Sequence, residues 1–259
     1  MSLTAPVWAI NFTSIRQVSD TLYMGKDTLL AIDNLLSKVC YEGASDDLLF
    51  DSVATCRPSD CQRGYRSQWM VADSSLYLTQ VHSCCFAQDS LEADLQKVFP
   101  DQYADGRVFA RWATDTYRFN KGKMLLTNSD RNEALYEKEV ELTIREGRLE
   151  QIQEFDNSKT RLSVYAQNKD SLYSFIYPRI DWDKAGDGFL IALVSANEEG
   201  QIDSVQIVKT LNPDTDRQVA ELLRQVPSWD VLYKRGEFMR QTQVLKIFFN
   251  GQKRRQWAK

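Results

Sequence analysis

Read as a succession of apolar and polar positions, the chain uses two grammars. Up to about residue 160 the apolar positions recur at short, strand-like intervals. Thr21–Met24 and Thr28–Ile32 flank Gly25-Lys26-Asp27 and predict a hairpin. Gln68–Ala72 and Leu76–Val81 flank Asp73-Ser74-Ser75 and predict a second one. From Tyr136 to Arg145 the alternation is clean. Lys138, Val140, Leu142 and Ile144 fall on one face, and Glu137, Glu139, Glu141 and Thr143 on the other. Glu146-Gly147 then turns the chain into a strand at Arg148–Phe155. One helix is predicted over Ser90–Phe99, where Leu91, Leu95 and Val98 share a face and Pro100 ends it.

Past the polar stretches Asp156–Lys159 and Gln167–Asp170, which predict a domain boundary near 160–170, the pattern becomes sharper. Phe189–Val194 is an apolar run of strand length, Asn197–Gly200 a turn, and Ile202–Val208 a second strand. Asn212-Pro213 opens a helix: Asn212 can cap an orphan amide, and Pro213 needs no donor at the first position. Val219, Leu222, Leu223 and Val226 form its apolar stripe, and Pro227 closes it. A turn at Lys234–Glu237 leads to a final strand, Met239–Phe249. The expected fold is α+β: a β-rich domain over residues 1–160, then a small antiparallel sheet with one packed helix over 161–259.

Composition separates the same two parts. Residues 1–160 carry 17 basic and 24 acidic side chains, and 161–259 carry 15 and 12, so the halves differ in sign. The overall charge of −4 provides no field to draw nucleic acid. No apolar run approaches the roughly 20 residues of a membrane helix. Met1–Trp8 lacks the basic and apolar regions of an intact signal peptide. The chain is therefore either cytoplasmic, or periplasmic or otherwise exported with its signal removed.

Tyr177-Pro178, Gly188–Leu193, Glu199–Ile202, Val205–Lys209, Leu222-Leu223, Val226–Trp229 and Gly236, followed by a closing strand, occur in an order that resembles the TonB C-terminal domain. The likeness spans roughly residues 170–250. It departs after Trp229, where Asp230-Val231-Leu232 stands near a position that is often proline, and the chain shows no membrane anchor or Pro-rich spacer. It implies a strand–strand–helix–strand fold and a protein partner in the cell envelope, met as an added strand at a sheet edge. The partner-binding residues it implies are Arg240, Thr242, Val244, Lys246 and Phe248 of the last strand. More loosely, residues 19–155, with Arg63-Gly64-Tyr65 through Trp69, Leu76-Tyr77-Leu78 and Gly106–Trp112, resemble small bacterial β-rich proteins, and this implies a domain without an activity.

No catalytic constellation, cofactor motif or metal-ligand spacing is read, and nucleic acid is not expected as a partner. The rival reading is a metal- or thiol-dependent enzyme using His82 with Cys40, Cys56, Cys61, Cys84 or Cys85. Against zinc, adjacent Cys84 and Cys85 alternate in direction on a strand. A disulfide, such as Cys56–Cys61, or buried thiols are expected instead, and His82 is expected at a strand end. Asp46-Asp47 and Glu137/Glu139/Glu141 are the obvious acidic clusters, the latter reads as the wet face of a strand, and no pair stands out as catalytic. Arg57, Arg63 and Arg66 beside Tyr65 and Trp69 read as hairpin surface, and the basic end Lys253–Lys259 as a frayed tail. A third reading makes the C-terminal domain a structural or dimerisation unit.

Overall fold

The computed structural model describes residues 17–39, 49–50, 57–85, 91–128 and 133–257. Cys40, Cys56, Asp46-Asp47, Met1–Trp8, Ser90 and Ala258-Lys259 lie outside the described residues. The fold is mixed α+β and strand-rich, and the chain divides between Asp156 and Asn157 into two units.

The N-terminal unit is one large sheet. The hairpin β1 (Thr21–Met24) and β2 (Asp27–Ala31) precedes a second hairpin, β3 (Tyr65–Ala72) and β4 (Ser75–Ser83). After α1 (Leu95–Val98) come the short β5 (Tyr103–Ala104) and β6 (Arg107–Phe109). Three long strands follow: β7 (Asp115–Asn128), β8 (Glu133–Arg145) and β9 (Arg148–Asp156). The order is β3-β1-β2-β7-β8-β9-β4, and β4 also pairs with β3, so these seven strands close on themselves. All neighbours are antiparallel except β1 and β3, which run parallel. Closure between β9 and β4 is narrow, at Ser75 opposite Arg148. It is reinforced where Leu76 N donates to Gly147 O (2.8 Å) and Leu149 N to Ser74 O (3.0 Å).

Gly147 explains why that turn sits so close. Its φ is +77°, and a Cβ there would lie 2.8 Å from Ala110 O and from the Phe109 ring. Leu22, Leu29, Trp69, Leu76, Leu78, Phe119 and Leu142 fill the interior with no exposed surface. Val140, Leu142 and Ile144 are buried on β8, while Glu137, Glu139 and Glu141 on the opposite face are not.

The helix expected over Ser90–Phe99 is confined to Leu95–Val98. Ser83 N donates to Leu91 O and Ala93 N to Val81 O, both at 2.9 Å, and His82 bridges to Glu92. Residues 91–93 are thus held as an extended segment beside β4. Their backbone groups are committed there, and the helix starts only where Asp94 caps Lys97 N at 3.1 Å.

An ion-pair chain crosses four strands. Lys121 on β7 reaches Asp27 on β2 (2.8 Å) and Glu154 on β9 (3.2 Å), and Glu154 also pairs with Lys138 on β8. The Lys138 and Lys121 contacts hold the Glu154 carboxyl below its ordinary value. A depressed carboxylate stabilises the fold above its unfolded pKa, and that contribution is lost as the pH falls through its folded pKa. Glu154 is more than a third exposed, so Glu154→Gln is expected to cost at most about 1 kcal/mol at neutral pH. The difference should vanish in acid, which paired urea unfolding curves at neutral and strongly acid pH would check.

The C-terminal unit begins earlier than the expected boundary. Asn157 is fully buried and its Oδ1 accepts from Gly236 N at 3.0 Å, so the polar stretch around it is anchored rather than a linker. Two short helices, α2 (Val164–Gln167) and α3 (Lys169–Ile176), lead into a 3₁₀ turn at Tyr177–Arg179. Then come β10 (Gly188–Ala196), β11 (Ile202–Lys209) and α4 (Pro213–Arg224). Asn212 Oδ1 caps α4 by accepting from Thr215 N at 2.9 Å. The hairpin β12 (Leu232–Lys234) and β13 (Glu237–Met239) precedes β14 (Thr242–Phe249) and α5 (Gly251–Trp257).

The small sheet has the order β11-β10-β14 and is antiparallel throughout. Its buried face presents Leu190, Ala192, Val194, Ile247 and Phe249, which cluster with Leu172, Ile176, Val219 and Leu223 of the helices. Strand, strand, helix and strand do follow in that order, but three further helices and a hairpin accompany them. The expected strand Met239–Phe249 is two strands, with Arg240 and Gln241 between. The expected frayed tail is also corrected. Asn250 Oδ1 accepts from Lys253 N at 2.9 Å, α5 winds from there, and Trp257 packs 6.1 Å from the Tyr177 ring.

Candidate functional site

The helices occupy one face of the small sheet and leave the other uncovered by the core cluster. Residues paired across an antiparallel ladder share a face. Phe189, Ile191 and Leu193 of β10 pair with Phe248, Lys246 and Val244 of β14, so all six side chains stand on the outer face. Three of them are half-buried, while Val244 is 44 % and Phe248 41 % exposed. Val208 of β11 is 50 % exposed. The Phe189 and Phe248 rings lie 5.6 Å apart. Lys209 Nζ is 3.3 Å and Lys246 Nζ 4.0 Å from the Phe189 ring centre. This is an apolar, aromatic surface crowned by two ammonium groups.

Four of the five residues expected to bind a partner come together here: Thr242, Val244, Lys246 and Phe248 follow one another on one face of β14. Thr242 is partly withdrawn, its hydroxyl 3.0 Å from that of Ser195. Arg240 is not on the strand. It lies before β14 and forms an ion pair with Asp203, its Nη1 3.0 Å from Oδ2. Phe189, Lys209 and Val208 belong to the surface although the last strand alone did not point to them. Phe189 follows from the alternation of β10 once the pairing with β14 is known, whereas adjacent Val208 and Lys209 are not both placed by alternation, because β11 slips register opposite Ile191 and Ala192.

The two edges of the sheet differ. On β14 the Tyr173 hydroxyl donates to Lys246 O (3.3 Å) and the Tyr177 hydroxyl to Phe248 O (2.7 Å), so two carbonyls of that strand already have side-chain donors. On β11, among the described residues, Asp203–Lys209 have no backbone hydrogen bond except those to β10. The freer edge is therefore β11, whereas the sequence pointed to the last strand.

Asp230, next to Trp229, is buried behind this sheet. It accepts from Ser163 N (2.7 Å) and from the amides of Gln167 and Gln243, and burial pushes its carboxyl above the usual range. It ties the start of α2 to β14 and has no cation partner among the described residues.

In the N-terminal unit His82 stands next to last on β4, buried, and its Nδ1 has no hydrogen-bond partner. Cys61 is bonded to Cys84, which corrects the Cys56–Cys61 pairing, and Cys85 is disulfide-bonded as well. Cys84 and Cys85 lie just past the end of β4, where the tertiary fold rather than sequence proximity selects the partner. A disulfide sulfur is not a thiolate nucleophile, so none of these three serves a Cys–His pair while oxidised. Among the described residues no three His, Cys, Asp or Glu side chains group to hold a metal ion. Arg63 is not simple hairpin surface: its guanidinium reaches inward to buried Asp20 at 2.6 Å. No described helix is long and apolar enough to cross a membrane.

In comparisons of the whole chain, no family model, curated protein or solved structure matches it.

Proposed function

We propose that the C-terminal unit is a non-enzymatic protein-binding module, and that its partner docks on the bare face of the small sheet beside the β11 edge. The observation that carries this is the exposed pair Val244 and Phe248 beside Phe189, on a sheet whose other face is packed by helices. An apolar patch of this kind, rimmed by charge, is the ordinary mark of an interaction surface. The unpaired backbone of β11 adds a row of donors and acceptors for a strand of the partner. The strand–strand–helix–strand order supports the likeness to the TonB C-terminal domain, read as a recognition fold. The disulfide Cys61–Cys84 supports an oxidising compartment such as the bacterial envelope.

A photo-crosslinking residue placed at Val244 in the full chain, and a control placed at exposed Glu221 on α4, test the reading in native envelope extract. Discrete adducts from position 244 that disappear on adding Phe248→Glu are expected. The same adduct pattern from both positions would refute it.

A further inference from the structure

We infer that the segment bound by this face is acidic and apolar, with a carboxylate drawn to Lys209 or Lys246 and its apolar side chains on Phe248, Val244 and Leu193. The inference rests on the protein-binding reading above and gives the partner a chemistry.

The two ammonium groups sit on a single ring, at 3.3 Å and 4.0 Å from the centre of Phe189, and Lys246 Nζ is also 4.9 Å from Phe248. A ring face attracts each cation by about 0.5–1 kcal/mol at an exposed site. The cations repel one another, and among the described residues neither has a carboxylate within ion-pair distance. Elsewhere in the same unit Arg240 pairs with Asp203, Arg254 with Asp183, Lys184 with Asp181 and Arg217 with Asp214. Asp187, two residues before Phe189, forms an ion pair with neither lysine. β10 contains no acidic residue, none occurs from Phe238 to the last residue, and Asp203 on β11 is taken by Arg240. A carboxylate docking beside either lysine would make a charge-assisted contact that no described residue supplies, and would offset the repulsion. The neighbouring Ile191, Leu193, Val244 and Phe248 supply only apolar contact, so the rest of the ligand must be apolar too.

A polypeptide fits this better than the other polyanions. Two lysines attract an anionic membrane by about 1 kcal/mol each, too little to hold a protein there. The disulfide in the N-terminal unit accords with an oxidising compartment, where protein surfaces rather than nucleic acids are the available partners.

Selection of a displayed library of short random peptides on the full chain tests the inference. The recovered peptides are then titrated against the parent, Lys209→Gln/Lys246→Gln and Phe248→Glu, each variant first checked for native circular dichroism. Recovered peptides should carry Asp or Glu beside Leu, Val or Phe. Their affinity should fall about tenfold in the double lysine variant and weaken as salt rises. Neutral or basic peptides that bind the parent but not Phe248→Glu would overturn the acidic chemistry and leave the docking face standing. Acidic peptides bound equally by the double lysine variant would do the same. Recovery of no peptide would overturn both readings. Oligo(dT) and phosphatidylglycerol vesicles are titrated in parallel, and tighter binding of either, lost in the lysine variant, would replace the peptide by that polyanion.

Discussion

Arg63→Ala is expected to destabilise the N-terminal unit by about 3–5 kcal/mol, the usual cost of leaving one member of a buried ion pair alone. Asp20 is 1 % exposed, and its Oδ1 accepts from Arg63 Nη2 and from Ser67 N, both at 2.6 Å. Its Oδ2 has no partner. Arg63 also donates to Val18 O (3.2 Å) and Tyr65 O (2.9 Å), so the same side chain holds the chain entering β1 against the start of β3. Burial pushes the Asp20 carboxyl above its ordinary value, and the Arg63 guanidinium opposes that rise. For a raised carboxyl, stability is fully present below the unfolded pKa and declines as the pH climbs through the folded one. Removing Arg63 raises the folded value further. The deficit of the variant should therefore be largest at neutral pH and shrink in acid, and adding Asp20→Asn should recover part of it. Urea unfolding at two pH values measures this. A deficit that is the same at both, or below about 1 kcal/mol at neutral pH, would show that the pair is not a buried one in the energetic sense.

Tyr177→Ala is expected to cost the C-terminal unit about 3–5 kcal/mol, the range for deleting a buried aromatic side chain. Tyr177 has no exposed surface, and its ring meets Tyr173 (4.9 Å), Trp182 (5.6 Å), Phe249 (5.7 Å) and Trp257 (6.1 Å). It joins the turn after α3 to β14 and α5 through a single side chain. Tyr177→Phe keeps the ring and removes only the hydrogen bond to Phe248 O, so it should cost about 1 kcal/mol. Burial raises the phenol, which makes the parent lose stability in alkali that the phenylalanine variant retains. Thermal unfolding of the three chains, followed by calorimetry, separates the two contributions. Equal losses for both variants would mean that the hydroxyl, not the ring, carries the packing.

Much of the local structure was legible because it depends on neighbours in sequence. Asp73-Ser74 and Glu146-Gly147 accept positive φ at both central positions, so they turn hairpins wherever the rest of the chain goes. Asn212-Pro213 starts α4 for the same kind of reason. The helix expected from Leu91 was misread because its apolar spacing serves an extended segment as well, and only the free edge of β4 decides between them. β7 escaped notice because Lys121, Gly122 and Lys123 interrupt its alternation, although Lys121 is held there by acids from two other strands. Arg63 read as surface because a lone arginine carries no mark of the buried carboxylate it will meet 43 residues away.

The sequence by itself determined the α+β class, most hairpins and the helix α4, and it marked Thr242, Val244, Lys246 and Phe248 as one face of a strand, since residue preference and period act over a few positions. The closure of seven strands, the Cys61–Cys84 bond, the split before β14, the docking of Trp257 and the crowding of two lysines on Phe189 were decided only by the tertiary structure. Each joins positions far apart along the chain, and which of them meet depends on the total burial of apolar surface rather than on any local pattern.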